Sequence, residues 1–310
     1  MKRIHVGGFV VDVDVDGGVV ADFVDRIADS GGVDRPTHRL IVRRTGRARL
    51  VIDAERRLVS LTLPPDAAGP TILIGVLQAV IRGVAYLERS AGTRALLHGS
   101  AFTLRSGAGV AVLDGGLGQG KTSLALAMAR QHGHLLVDEF AFASTAARDV
   151  VLSAAPTLPW HVRTDMAPYA APSSSTNPLR FPRELQAIVA TAPGDAPLRL
   201  ILIPDEELSA GRITPVDADQ ARVLLRCAVA DHLAKLADPG LDHVSIFAGI
   251  EQVVDPAGRP LAELPVPVEE RNILLQRLAS LPTYRVGVGA PADLPASVAA
   301  ASVAVESVAT

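Results

Sequence analysis

Between residues 2 and 63 apolar and polar positions alternate in short runs: Ile4 and Val6, Phe9-Val10-Val11, Leu40-Ile41-Val42, Leu50-Val51-Ile52 and Leu58-Val59-Ser60-Leu61, broken by Gly, Asp and Pro. A period of two with this punctuation predicts strands, and so a small β-rich N-terminal domain over residues 1–66. Within it Val20, Phe23, Val24 and Ile27 recur at helical spacing and predict one helix over 19–28. Pro64-Pro65 and Gly69-Pro70 then punctuate the chain and place a boundary near residue 66. Beyond it Ile72, Leu73, Val76, Leu77, Val80, Ile81, Val84 and Leu87 predict a mostly buried helix over 71–89, which Gly75 and Gly83 weaken.

The second domain is expected over 67–290. Two β-prone runs, 96–104 and 110–113, flank a Gly-bearing turn and predict a hairpin; if Leu104 pairs with Val110, His98 falls opposite Gly116. Ala- and Leu-rich 122–131 predicts a helix, Gly133 suits a left-handed cap, and 134–137 is a short strand. Residues 165–183 lack either period and read as a surface loop, a candidate substrate lid. A buried strand is expected over 198–204, with helices over 217–237 and 266–281. The last stretch, 291–310, is Ala, Val, Ser and Pro with few anchoring side chains and predicts a disordered tail. The fold class is therefore α/β.

Composition narrows the classes of function. A chain of 310 residues with 48% hydrophobic content can build a sizeable core, and a net charge of -3 with scattered charges offers no basic stripe for nucleic acid and no polybasic membrane anchor. The single cysteine, Cys227, forms no internal disulfide, and the acidic N-terminus lacks the apolar stretch of a signal peptide, so a cytoplasmic location is expected. The longest apolar run is about half the roughly 20 residues that span a bilayer. Exposed edges of the N-terminal strands leave room for a homo-oligomer.

The chemistry is concentrated in one segment. Gly115-Gly116-Leu117-Gly118-Gln119-Gly120-Lys121-Thr122 fits G-x-x-x-x-G-K-[ST] at every fixed position, between an apolar strand and a helix. Glycines let a loop fold round phosphate oxygens so that backbone N–H groups and the helix start face negative charge. Residues 115–123, Ser123 included, are thus expected to bind ATP, with Lys121 along the β/γ-phosphates and the Thr122 hydroxyl on Mg2+.

Asp138-Glu139 follows the next strand, 17 residues after Lys121. That distance fits a helix of about three turns, a cap and one strand running parallel to the first, so the carboxyls arrive beside the loop. Asp138 is expected to hold the metal with Thr122, and either acid to accept a hydroxyl proton. Adjacent strand residues face opposite ways, so both can serve only if the chain turns there. His98 joins the catalytic candidates by its place beside the loop. Arg163, in Trp160-His161-Val162-Arg163, ranks first among arginines that could hold an anionic substrate, ahead of Arg180 and Arg183. No Cys, Asp and His set has zinc spacing.

His98-Gly99, the hairpin, the phosphate loop with its helix, and Gly133-His134-Leu135-Leu136-Val137-Asp138-Glu139 together resemble the C-terminal catalytic domain of bacterial HPr kinase/phosphorylase and related kinases, whose fold is also that of phosphoenolpyruvate carboxykinase. The match covers about residues 94–142, with a weaker echo in Leu281-Pro282-Thr283-Tyr284-Arg285-Val286. The resemblance implies a P-loop kinase core, an active-site role for His98, phosphate and Mg2+ binding by Lys121 and Thr122, and metal contact and a base from Asp138 and Glu139. The second acid is Glu where the family usually has Asp, the Glu-Ile-Arg-Gly signature after the acidic pair is missing, and the N-terminal segment is shorter than the family's regulatory domain. HPr is therefore not the expected substrate; a hydroxyl on a small molecule or peptide is. The rival readings are a shikimate- or nucleotide-kinase-type enzyme, a non-catalytic ATP-binding regulator, and an ATPase that powers a partner.

Overall fold

The computed structural model describes residues 2–28, 35–66, 70–88, 94–113, 120–146, 149–154, 158–162, 179–180, 182–185, 188–192, 194–238, 250, 252–261 and 272–308. The chain divides into two compact units, Met1–Gly92 with Ala230–Glu270, and Thr93–Val229 with Arg271–Thr310. The units are not the consecutive 1–66 and 67–290 expected from the Pro and Gly punctuation, because a punctuated boundary near residue 66 says nothing about segments that return later in the chain.

In the first unit β1 (Lys2–Val6), β2 (Phe9–Val15), β3 (His38–Arg43), β4 (Arg49–Asp53), β5 (Leu58–Thr62) and β15 (Gln252–Val254) form one sheet in the order β1-β2-β3-β5-β4-β15. Leu40, Val42, Leu50, Ile52, Val59 and Leu61 are buried, the period-two pattern of strands with one covered face. The expected helix is α1 (Val19–Ile27), and its buried residues are Val20, Phe23, Val24 and Ile27. Helix α2 (Pro70–Leu87) belongs to this unit. Gly83 has a packing reason: a Cβ there would lie 2.5 Å from Val59 Cγ2, so only glycine lets α2 approach β5 this closely.

The second unit is organised around β6 (Arg94–Leu104). It pairs with β7 (Gly109–Leu113) on one edge, and on the other with β9 (Phe140–Ala146) along its first half and β8 (Gly133–Val137) along its second. Because β7 and β8 are both antiparallel to β6, they run parallel to each other, with α3 (Lys121–His132) joining them. Parallel pairing then carries the sheet from β7 to β13 (Ala196–Asp205) and on to β16 (Thr283–Gly287), which holds Tyr284 and Arg285. Hairpin β9 to β10 (Asp149–Leu152) and edge strand β14 (Ile213–Pro215) complete it, and β10 also meets the start of β13.

The hairpin register differs from expectation. Thr103 pairs with Gly109 and Gly99 with Leu113, so the turn is tighter than assumed and the ladder shifts by two residues. Gly107 at φ 88 makes that tightening possible, with its N–H donated to the Leu104 carbonyl and the Leu104 N–H to that of Ala108. A shift of two keeps every side chain on its original face. The position opposite His98 falls outside the described residues.

The expected disordered tail is instead α7 (Leu294–Glu306), the last of the helices that follow α3: α4 (Pro182–Leu185), α5 (Ala218–Ala237) and α6 (Asn272–Ala279). Ala301, Ala304, Val298 and Val305 share one core with Leu124, Ala125 and Met128 of α3 and with Val110, Val112, Leu200 and Leu202 of the sheet. Small side chains that offer few anchors in sequence permit a close helix–helix approach. Ser302 Oγ is 2.8 Å from His132 Nε2 and Ser297 Oγ donates to the Gly287 carbonyl at 2.8 Å, which fixes the helix further. Of the helix expected over 266–281 only α6 is described. Among the described residues no helix is long and apolar enough to cross a membrane.

Gly133 is not a left-handed cap, since its φ is -177; a Cβ there would lie 1.6 Å from the Thr103 carbonyl oxygen, so its role is the close pairing of β8 with β6. Gly133→Ala must therefore force these strands apart and destabilise the protein by about 1–3 kcal/mol. Thermal unfolding measures this as a lower Tm, and an unchanged Tm would contradict the packing described.

Candidate functional site

The site forms where β6 changes partner. Residues 94–98 pair with β9 and 101–104 with β8, and between those ladders the opposite chain makes a turn at Asp138-Glu139. Glu139 has φ 64, and the Phe140 N–H donates to the Asp138 carbonyl at 2.7 Å, the three-residue pattern of a γ-turn. A non-glycine residue in this region carries strain that its surroundings must hold, and such residues concentrate at functional sites. The turn removes the strict alternation of an extended strand, which is the condition for two adjacent carboxyls to serve one site. Opposite it, Gly99 donates its N–H to the Glu139 carbonyl at 3.3 Å, and a Cβ on Gly99 would lie 2.5 Å from the Val112 carbonyl oxygen.

Asp138 is 3% exposed and accepts three hydrogen bonds from three elements. Ser100 Oγ of β6 donates to Oδ1 at 2.5 Å, Thr122 Oγ1 of α3 to Oδ1 at 2.8 Å, and the backbone N–H of His161 to Oδ2 at 2.6 Å. His161 lies in β11 (Trp160–His161), which pairs with β12 (Leu179–Arg180) in a separate two-stranded ribbon. Burial, aided by the Glu139 charge, raises the Asp138 pKa to about 6 against the pull of these donors. Desolvation therefore wins over the hydrogen bonds.

Glu139 differs. Its side chain is 27% exposed, and its Oε1 is 3.8 Å from His161 Nδ1, an ion-pair distance too long for a hydrogen bond. Burial raises its pKa, but contact with His161 and the charges of His98, His161 and Lys121 together outweigh it and bring the value down to about 2. The reciprocal effect raises the His161 pKa, chiefly through Glu139. Glu139 is thus a carboxylate among three potential cations.

The phosphate-loop candidates divide at Gly120. Gly115, Gly116, Leu117, Gly118 and Gln119 lie outside the described residues. Gly120, at φ 75, turns the chain into α3, and Leu124 N–H donates to its carbonyl at 2.8 Å. Lys121 and Thr122 open the helix half-buried, whereas Ser123 is 2% exposed and turned into the core, so only its backbone N–H could face a phosphate. His98 is buried at the end of the β6–β9 ladder, opposite Phe140. Arg163 lies outside the described residues, as does most of the expected lid. Lys121, Thr122, Asp138, Glu139 and His98 thus converge on one place.

Two participants carried no sequence signal. Ser100 is one of many buried strand residues until the β8 ladder sets it against Asp138. His161 is 23 positions from Asp138, and its part depends on a two-residue strand too short to predict. Among the described residues no three or more of His, Cys, Asp and Glu cluster to hold a metal by themselves. Thr122 Oγ1 and Asp138 Oδ1 are nonetheless hard oxygen donors 2.8 Å apart, close to the roughly 3 Å between neighbouring ligands of octahedral Mg2+. The residues present fit that ion as partial ligands beside substrate phosphates.

No protein-family model and no curated protein matches the chain. Among solved structures, the Hpr(Ser) kinase/phosphatase from Coxiella burnetii is similar over 35% of this chain and 63% of that one, at 14% identity and a TM-score of 0.26. The chain thus spans less than two thirds of that structure's length, and this likeness is too partial to bear on fold or activity.

Proposed function

We propose that the chain is an ATP- and Mg2+-dependent phosphotransferase acting on a hydroxyl group of a small molecule or peptide, with its P-loop kinase core in the unit that contains α3. The observation that carries this reading is the 2.8 Å hydrogen bond between Thr122 and Asp138. It ties the hydroxyl of the G-x-x-x-x-G-K-[ST] pattern to the acid at the following strand end, the two groups that would hold the metal.

Mg2+, when bound, would neutralise charge on the β- and γ-phosphates. Backbone N–H groups at the start of α3 and the Lys121 ammonium would hold the triphosphate. Glu139, the more exposed carboxylate, would orient the acceptor hydroxyl. As the bond from the γ-phosphorus to the bridging oxygen breaks, the acceptor oxygen bonds to phosphorus, its proton passes to Glu139, and ADP leaves. Such transfer depends mostly on alignment and electrostatics, so an acid with a low pKa is no obstacle. Arg163 is retained as a candidate contact for an anionic acceptor.

The test is ADP release and one-phosphate mass gain when the protein meets Mg2+-ATP with water, glycerol, L-serine or a serine peptide as acceptor. Lys121→Ala is expected to cut turnover by about 100-fold or more, the scale of losing a main electrostatic contact. Full activity in this variant would contradict the reading.

Asp138→Asn is expected to abolish metal-dependent turnover while the protein remains folded. The sign of its pH effect follows from the raised pKa. A carboxyl at about 6 in the fold and 3.8 unfolded stabilises fully below about 4 and loses that contribution as pH rises through 6. The loss is at most about 3 kcal/mol. Wild-type Tm relative to Asp138→Asn should therefore fall between pH 4 and pH 7; a constant difference would contradict the buried, desolvated carboxyl.

A further inference from the structure

His161 makes two separable contacts with the acid pair. Its backbone N–H donates to Asp138 Oδ2 at 2.6 Å, and its ring Nδ1 lies 3.8 Å from Glu139 Oε1. The first belongs to the main chain and survives any side-chain replacement that keeps an N–H; the second belongs to the imidazole alone. Asp138 is held by three donors, whereas Glu139, at φ 64, carries a side chain that is 27% exposed and faces the His161 ring. The ring that faces it is itself 30% exposed, so both groups border solvent.

We infer that His161 is a positioning residue for phosphoryl transfer: its main chain anchors the metal-side carboxylate, and its ring holds Glu139 toward the acceptor hydroxyl. This rests on the phosphotransferase reading and assigns the ribbon β11–β12 a function in it. The ribbon brings a residue from outside the strand-loop-helix-strand segment to complete the site. Because its imidazole faces Glu139, the proposed acceptor contact, nucleotide binding and turnover should respond differently to its loss.

The test compares His161→Leu, which keeps bulk but removes the nitrogens, with His161→Asn, whose amide nitrogen can take the place of Nδ1. Both are measured for Mg2+-dependent binding of a fluorescent ATP analogue and for ADP release with water and the hydroxyl panel as acceptors. Binding should stay within about twofold of wild type in both, while kcat falls about 10–100-fold in His161→Leu, with KM for ATP unchanged, and recovers to within about threefold in His161→Asn. The double variant His161→Leu/Glu139→Gln should be no slower than Glu139→Gln alone, because the two side chains act as one unit. Wild-type kcat in His161→Leu, equal losses in Leu and Asn variants, or a double variant slowed by the product of the single effects would each overturn the inference. A wild-type protein that neither binds nor turns over Mg2+-ATP would instead remove the phosphotransferase reading, and the inference with it.

Discussion

One buried carboxylate ties together three elements at the candidate site of the second unit. Asp138 sits where β6, α3 and β11 meet, and each supplies one donor. Hydrogen bonds to a charged acceptor contribute about 1.5–3 kcal/mol each, comparable to the several kcal/mol that burying a charge costs. The pKa of about 6 shows that the balance still leans toward desolvation. A group held this way gains from a cation that would restore its charge compensation. It also makes the three elements interdependent, since removing any donor leaves the buried acid less satisfied.

Strain and close approach support the same point. The positive φ at Glu139 is tolerable because β8 and β9 continue the ladder along β6 on both sides of the turn. Glycines at 99 and 133 let neighbouring backbones approach to distances that a Cβ would prevent. Two unequal carboxylates result from adjacent positions: one buried and raised in pKa, the other partly exposed and lowered by its cationic neighbours. In the proposed reaction, separation of this kind would divide metal contact from acceptor contact without a third acidic residue.

Much of this was legible in the sequence, for identifiable reasons. Helical periodicity placed α1 and α2, and residue propensity placed α3, β7 and β8, close to their observed limits, because these signals are local to each element. The spacing of Lys121 and Asp138 brought helix start and strand end together because helix and strand lengths constrain where the chain can return. What depended on distant segments was not legible. The addition of β15 to the first sheet, the docking of an alanine-rich helix where a tail was expected, and the arrival of Ser100 and His161 at Asp138 are all pairings between remote positions. The hairpin register failed for a smaller reason: the turn at Gly107 closes two residues tighter than assumed.

The central claim is that Thr122 and Asp138 share a metal beside a bound triphosphate, and the most direct measurement is a crystal structure with Mg2+ and a non-hydrolysable ATP analogue. The account predicts that the ion replaces the Thr122–Asp138 hydrogen bond, with both oxygens coordinating it directly or through one water and the phosphates lying over the start of α3. A complex in which that hydrogen bond persists while metal and phosphates bind elsewhere would contradict it.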